Sequence, residues 1–208
     1  MGDFFIKKAS TYDKDSKRVA NVDAIVDSML KNISFNKNMH LIDFGAGTGL
    51  LLEGIAPYVA QITAVDVSDA MIGELSKKQQ VLLNEHDCTL NIVKADLTQP
   101  IDADLGFNAL FDGIISSMTL HHIKDIPAIF SRLKQLIKPN GFIAIADLDT
   151  EAGDFHTEDT GVHHFGFERD YLNEVALATG FKDTQIHTAN EFKKNGVGYS
   201  VFLFVAHI

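Results

Sequence analysis

The stretch Leu41-Ile42-Asp43-Phe44-Gly45-Ala46-Gly47-Thr48-Gly49-Leu50 restricts the fold most, because a short apolar run passes into a helix-like run through glycines at alternate positions. This order predicts a buried strand, a tight turn and a helix. Glycine has no Cβ, so Gly45 and Gly47 admit positive φ and let backbone N–H groups approach a polar ligand closely. The helix start adds donors that have no intrahelical partner. A dinucleotide fingerprint, G-x-G-x-x-G, would need its third glycine where Leu50 stands; the spacing here is Asp-x-Gly-x-Gly-x-Gly. Read without a ligand, the same corner is a close-packed strand–turn–helix junction.

Further strand–helix units follow. Gln61 to Asp66 reads as a second buried strand that ends on a carboxylate, where nucleoside-binding α/β folds place an acceptor for ribose hydroxyls. Ser68 caps a helix from Asp69 to about Lys77, with Met71, Ile72 and Leu75 inward. Leu90 to Leu97 repeats the pattern with Asp96 near its end, and Leu110 to Ser117 forms a strand leading into Met118-Thr119-Leu120-His121-His122-Ile123. Asp125 and Pro127 open a helix whose Ile126, Ile129, Phe130, Leu133 and Ile137 share a face, stopped by Lys138-Pro139-Asn140-Gly141. Phe142 to Ala146 is apolar throughout, as suits a strand buried on both faces of a parallel sheet. A helix from Arg169 to Thr179 ends at Gly180, and two β-like segments, Lys182 to Thr188 and Tyr199 to Ala206, flank an Asn195-Gly196 turn. Ahead of all this, a helix from Val19 to Lys31 follows the polar run Ala9 to Arg18, which reads either as a solvated arm or as a lid offering Tyr12 and Arg18.

The glycine loop with Asp43 before it, then Asp66, Asp96 and the strand to Ser117, occur in an order that resembles the class I S-adenosylmethionine-dependent methyltransferases, in particular small stand-alone enzymes such as the ubiquinone and menaquinone methyltransferases. The resemblance covers nearly the whole chain and implies a single domain over residues 1–208. The implied fold is α/β, a Rossmann-like doubly wound, mostly parallel seven-stranded sheet with a C-terminal antiparallel hairpin. It also implies S-adenosyl-L-methionine as cofactor. Asp43, Gly45, Ala46, Gly47 and Gly49 would wrap its methionine part, Asp66 its ribose, and Val67, Met71, Asp96 and Leu97 its adenine. Ser117, Met118 and His121 would face the methyl group or acceptor, with His121 the candidate general base. The bland reading makes His121 or His122 a packing residue. Two other classes remain open at this stage: a non-catalytic S-adenosylmethionine-binding regulator and a NAD(P)-dependent oxidoreductase.

Between residues 150 and 167 apolar periodicity lapses, while His156, His163 and His164 stand among Glu151, Asp154, Glu158 and Asp159, close after Asp147 and Asp149. Long irregular segments in compact domains are commonly binding loops or lids. Imidazole with carboxylate also suits a divalent metal, but the spacing is unlike a compact zinc motif. An acceptor-side lid is therefore expected here and no metal is assigned. The formal charge of −10 disfavours sequence-independent nucleic-acid binding and points to a small-molecule acceptor. The lone Cys88 excludes an internal disulfide framework, and neither a signal peptide nor a membrane-length apolar run is present, so a cytoplasmic location is expected. The oligomeric state is not legible.

Overall fold

Alternate strand residues feed two separate apolar layers, and this alternation builds the molecule. The computed structural model describes residues 6, 8–100, 107, 110–156 and 161–208. Its strands are β1 (His40–Phe44), β2 (Gln61–Asp66), β3 (Thr89–Lys94), β4 (Phe111–Ser117), β5 (Ile137–Leu148), β6 (Lys182–Lys194) and β7 (Val197–His207). They form one sheet in the order β3-β2-β1-β4-β5-β7-β6. Pairings from β3 through β5 are parallel, and β7 runs antiparallel to both β5 and β6. The helices are α1 (Ser16–Asn32), α2 (Leu50–Ile55), α3 (Asp69–Leu75), α4 (Gln79–His86), α5 (Ile126–Gln135) and α6 (Arg169–Ala178).

On one face Leu41, Ile62, Ala64, Ile115 and Ala144 pack with Val22, Ile25 and Met29 of α1 and Leu51, Leu52 and Ile55 of α2. On the other, Ile42, Val65, Ile114 and Ile143 pack with Ile129, Phe130 and Leu133 of α5 and Leu172 and Val175 of α6. The seven-stranded, mostly parallel α/β sheet with its C-terminal hairpin is the one expected. No helix among the described residues is long and apolar enough to cross a membrane.

Several boundaries differ from the sequence reading. Helix α5 stops at Gln135, and Ile137 begins β5 instead of completing the helical face. The register between β4 and β5 shifts between Phe111 and Gly113, so a bulge absorbs Pro139 and Asn140, the latter at φ 65. Helix α4 was not anticipated, because it buries only Leu82 and so carries almost no apolar stripe. Strand β3 ends at Lys94, short of Asp96, which turns the chain instead. The closing hairpin is longer than expected, with Asn195-Gly196 as its turn.

Phe130 is wholly buried, its ring meeting those of Phe181 and Phe204 at centroid distances of 6.1 and 5.9 Å. It joins α5 to β7 and to the turn before β6. Phe130→Ala should lower stability by about 3–5 kcal/mol, seen as a lower urea midpoint with an unchanged denaturant slope.

Candidate active site

Strand order reverses between β1 and β4, which is where open α/β sheets leave a crevice at the carboxyl ends of their strands. A cavity of about 1180 Å³ opens there. Its floor is the glycine loop. The N–H groups of Gly45 and Ala46 donate to Val65 O at 2.9 and 3.1 Å, tying the loop to the end of β2. Asp66 completes the tie: its Oδ2 accepts from Gly47 N at 2.7 Å and its Oδ1 from Ser68 N at 2.8 Å.

The three glycines take φ of 70, 56 and 90 and have different tasks. A Cβ on Gly45 would lie 2.3 Å from the Thr119 side chain, so this position is needed for close packing against the turn after β4. At Gly47 a Cβ would meet nothing within 4 Å, because the residue opens onto the cavity. Gly49 caps α2 and faces Leu75 instead of the cavity, so its place in the wall falls to Leu50. Of the expected cofactor-side residues, Asp43, Gly45, Ala46, Gly47, Asp66, Val67, Met71, Asp96, Leu97 and Ser117 all line the cavity, and Gly49 alone does not.

These acids occupy very different environments. Asp43 is 1% exposed and its Oδ2 has no hydrogen-bond partner. Burial, reinforced by the charge of Asp66, pushes its carboxyl up to about 8. Asp96 is exposed, and its Oδ1 accepts from the N–H and hydroxyl of Thr98 at 2.9 and 2.6 Å.

The polar N-terminal run is folded, and its Tyr12 and Arg18 line the cavity. Residues Ala9–Lys14 form a 3₁₀ turn, from which Asp13 accepts the Thr48 hydroxyl and also pairs with Lys78 at 2.9 Å. The Arg18 guanidinium lies 3.8 Å from the Tyr12 ring centroid and donates to Tyr12 O at 2.7 Å. Burial raises the Tyr12 phenol, Arg18 opposes that rise, and the nearby Asp66 adds to it.

On the opposite wall His121 is 1% exposed. Its Nδ1–H donates to Asp147 Oδ1 at 2.7 Å, and its backbone N–H to Asp147 Oδ2 at 3.1 Å. Leu148 N also donates to Asp147 Oδ1, at 2.7 Å. This fixes the imidazole and leaves Nε2 buried without a partner in a residue that lines the cavity. His122 and His156 sit beside it, at ring-centroid distances of 4.2 and 4.9 Å from His121. Burial, and then the neighbouring His121, lower both to about 4, so both are neutral at pH 7.

The irregular segment after β5 does not gather its histidines and acids together. Phe155, His156, Gly161 and His163 line the cavity, whereas Phe165 is 59% exposed and outside it. His163 and His164 donate their backbone N–H groups to His121 O, and the His164 ring bonds Ile123 O. Asp149 forms a bidentate pair with Arg169, and Glu151 accepts three backbone N–H groups. Glu158 and Asp159 lie outside the described residues. Among the described residues no set of three or more His, Cys, Asp or Glu groups is arranged to hold a metal. Asp147, which the sequence grouped with those acids, instead positions His121. The fastening of the arm through Asp13 and Lys78, and the presence of Lys194 in the wall, were also missed. Only Asp147's place at a strand end gave any hint.

The sequence profile of the methyltransferase-domain family matches residues 14–186. The chain belongs to the S-adenosylmethionine-dependent methyltransferases. An uncharacterized methyltransferase of Schizosaccharomyces pombe is 32% identical to it over 166 residues, covering 75% of this chain and 57% of the relative. One from Mycobacterium tuberculosis is 33% identical over 128 residues, covering 62% and 58%. This methyltransferase thus spans under two thirds of the length of both relatives. A solved S-adenosylmethionine-dependent methyltransferase from Aquifex aeolicus superposes with a TM-score of 0.68 at 20% identity over 97% of each chain, a likeness of fold. The oxidoreductase alternative falls with the family match.

Asp43 gives the methyltransferase a defined pH dependence. Its folded-state value lies above the ordinary carboxylate value, so between about pH 4 and 8 the folded chain holds a proton there that the unfolded chain releases. This group therefore makes stability fall as pH rises through that window, by at most roughly 1.4 kcal/mol per pH unit. Denaturation of ligand-free protein at several pH values should show this slope, and Asp43→Asn should flatten it.

Proposed function

We propose that the chain transfers a methyl group from S-adenosylmethionine to a small-molecule acceptor, with His121 as general base. The observation that carries this reading is one cavity lined both by the glycine loop with Asp66 and by His121, whose buried Nε2 has no hydrogen-bond partner. The residues fit the cofactor. Gly47 leaves open space beside backbone donors, Asp66 offers a carboxylate at the end of β2, and Met71 and Leu97 supply apolar wall. The orphaned Asp43 Oδ2 adds a buried polar atom behind the loop.

S-adenosylmethionine, when bound, supplies a methyl group on a sulfonium that is already a good leaving group. The protein's part is to hold the acceptor in line and accept its proton, and such positioning is worth roughly 7–11 kcal/mol. His121 accepts that proton at Nε2, since Nδ1–H is committed to Asp147. The buried Asp147 carboxylate then lies against the imidazolium and stabilises it. His122 and His156, being neutral, add no competing positive charge. The arm from Ala9 and the segment 150–167 act as covers that keep water out, the latter through Phe155 and His156 instead of Phe165.

Calorimetry should find S-adenosylmethionine and its demethylated product binding to the protein. Asp66→Ala should weaken both by one to two orders of magnitude, because charge-assisted hydrogen bonds are worth roughly 1.5–3 kcal/mol. No binding by folded wild-type protein would end the proposal.

Release of S-adenosylhomocysteine in an acceptor screen tests catalysis. His121→Ala should lower kcat by roughly 10²–10⁴ and leave S-adenosylmethionine affinity nearly unchanged. Asp147→Asn should lower kcat in the same direction with little change in acceptor KM. Undiminished turnover by His121→Ala would return this residue to a packing role. Cofactor binding without turnover of any acceptor would favour a regulatory protein.

A further inference from the structure

Charged groups of both signs line the cavity. Asp43 of β1, Asp66 at the end of β2 and Asp96 beyond β3 are among the acids, and among the cations Lys8, Arg18 and Lys194 form one group. This cationic group stands out in a chain of formal charge −10. It is assembled from three separate parts of the chain, the N-terminal cover, α1 and β6. Its members are close enough to interact: burial lowers the Lys194 ammonium, Arg18 is the next cause, and Lys8 contributes too.

Two carboxylates lie near this group. Asp15 caps α1 by accepting from Lys17 N and Arg18 N at 3.0 and 3.3 Å and also pairs with the Arg18 guanidinium at 3.6 Å, while Glu151 accepts from the N–H groups of Gly153, Asp154 and Phe155. They temper the positive potential. Lys194 reaches the cavity through aromatic surface. Its Nζ sits 4.2 Å from the Phe155 ring centroid and donates to Phe155 O. The Phe155 ring lies 4.9 Å from that of His156, which lies 4.9 Å from that of His121. A continuous ring-lined path therefore joins the cations to the proposed base.

On the methyltransferase reading above, we infer that the acceptor carries an oxyanion, a carboxylate or phosphate monoester, on an aromatic or otherwise apolar body. The oxyanion is held by Lys194, Arg18 and Lys8. The body lies along Phe155 and His156, and the atom to be methylated reaches His121 Nε2. The volume is adequate, since about 1180 Å³ exceeds the roughly 300–1,000 Å³ typical of a single small-molecule site. The guanidinium and ammonium groups supply the donors that oxyanions need.

The test uses benzoate, phenyl phosphate and neutral benzamide as probes, titrated by calorimetry or ligand-observed NMR with and without saturating S-adenosylhomocysteine. At least one anion should bind about tenfold or more tightly than benzamide, and this preference should shrink as salt screens the charges. Whichever anion binds better identifies the headgroup. Lys194→Gln should cost that anion about tenfold, Lys194→Arg should restore most of the loss, and both should leave S-adenosylhomocysteine affinity within about twofold. Equal binding of benzamide and both anions, no saturable anion binding, or indifference to Lys194→Gln would overturn the inference. Failure of S-adenosylhomocysteine to bind would instead strike the methyltransferase reading, and the titrations made without it would judge the anion site separately.

Discussion

The Asp66 carboxylate takes one backbone N–H from the glycine loop and one from the start of the following turn, and the site depends on this double acceptance. A loop with three residues at positive φ is held internally by one turn bond, from Gly49 N to Ala46 O at 2.9 Å, and needs partners outside itself to define it. Carbonyl Val65 O and the Asp66 side chain provide that definition from the neighbouring strand. The parallel register of β1 and β2 brings them into position, and Phe44 stands opposite Val65 where the loop departs. Sheet pairing thus becomes site geometry, and the same carboxylate that secures the loop faces the cavity.

The opposite wall follows a similar rule. A buried carboxylate is tolerable only when its lone pairs are used. Asp147 meets this condition with two backbone N–H groups and one imidazole. Asp43 does not, and stays protonated across most of the physiological range. The two acids are close in type and burial, yet one is suited to hold a cation and the other to remain neutral until a ligand changes its surroundings.

Local pattern made much of the frame readable. The strands β2 and β4, the stop at Gly180 and the Asn195-Gly196 turn are all set by near neighbours. So were nearly all the residues of the glycine loop and the strand ends that surround the cavity. Features defined by distant chain segments were less accessible. Helix α4 lacked an apolar stripe, and Ile137 fitted a helical face until the bulge at Pro139 and Asn140 drew it into β5. Asp147 looked like one of several acids near a histidine-rich segment, because nothing local reveals that His121, from a different strand-end turn, donates to both of its oxygens. The cationic group of Lys8, Arg18 and Lys194 joins the two ends of the sequence, so no window along the chain contains it.

The position of β7 also affects the order in which the fold is completed. This last strand in sequence lies inside the sheet, between β5 and β6, pairing Phe142 with His207 and Leu148 with Val201. Its side chains alternate between layers, with Val201, Leu203 and Val205 entering one and Phe202, Phe204 and Ala206 the other. Until it arrives, β5 presents an unpaired edge and both layers lack a wall. Contacts so distant in sequence form slowly, because a long loop must close before they contribute. The β5 edge and both layers therefore stay open until residues 197–207 are in place, and closure of the sheet depends on a segment that contributes little to the chemistry.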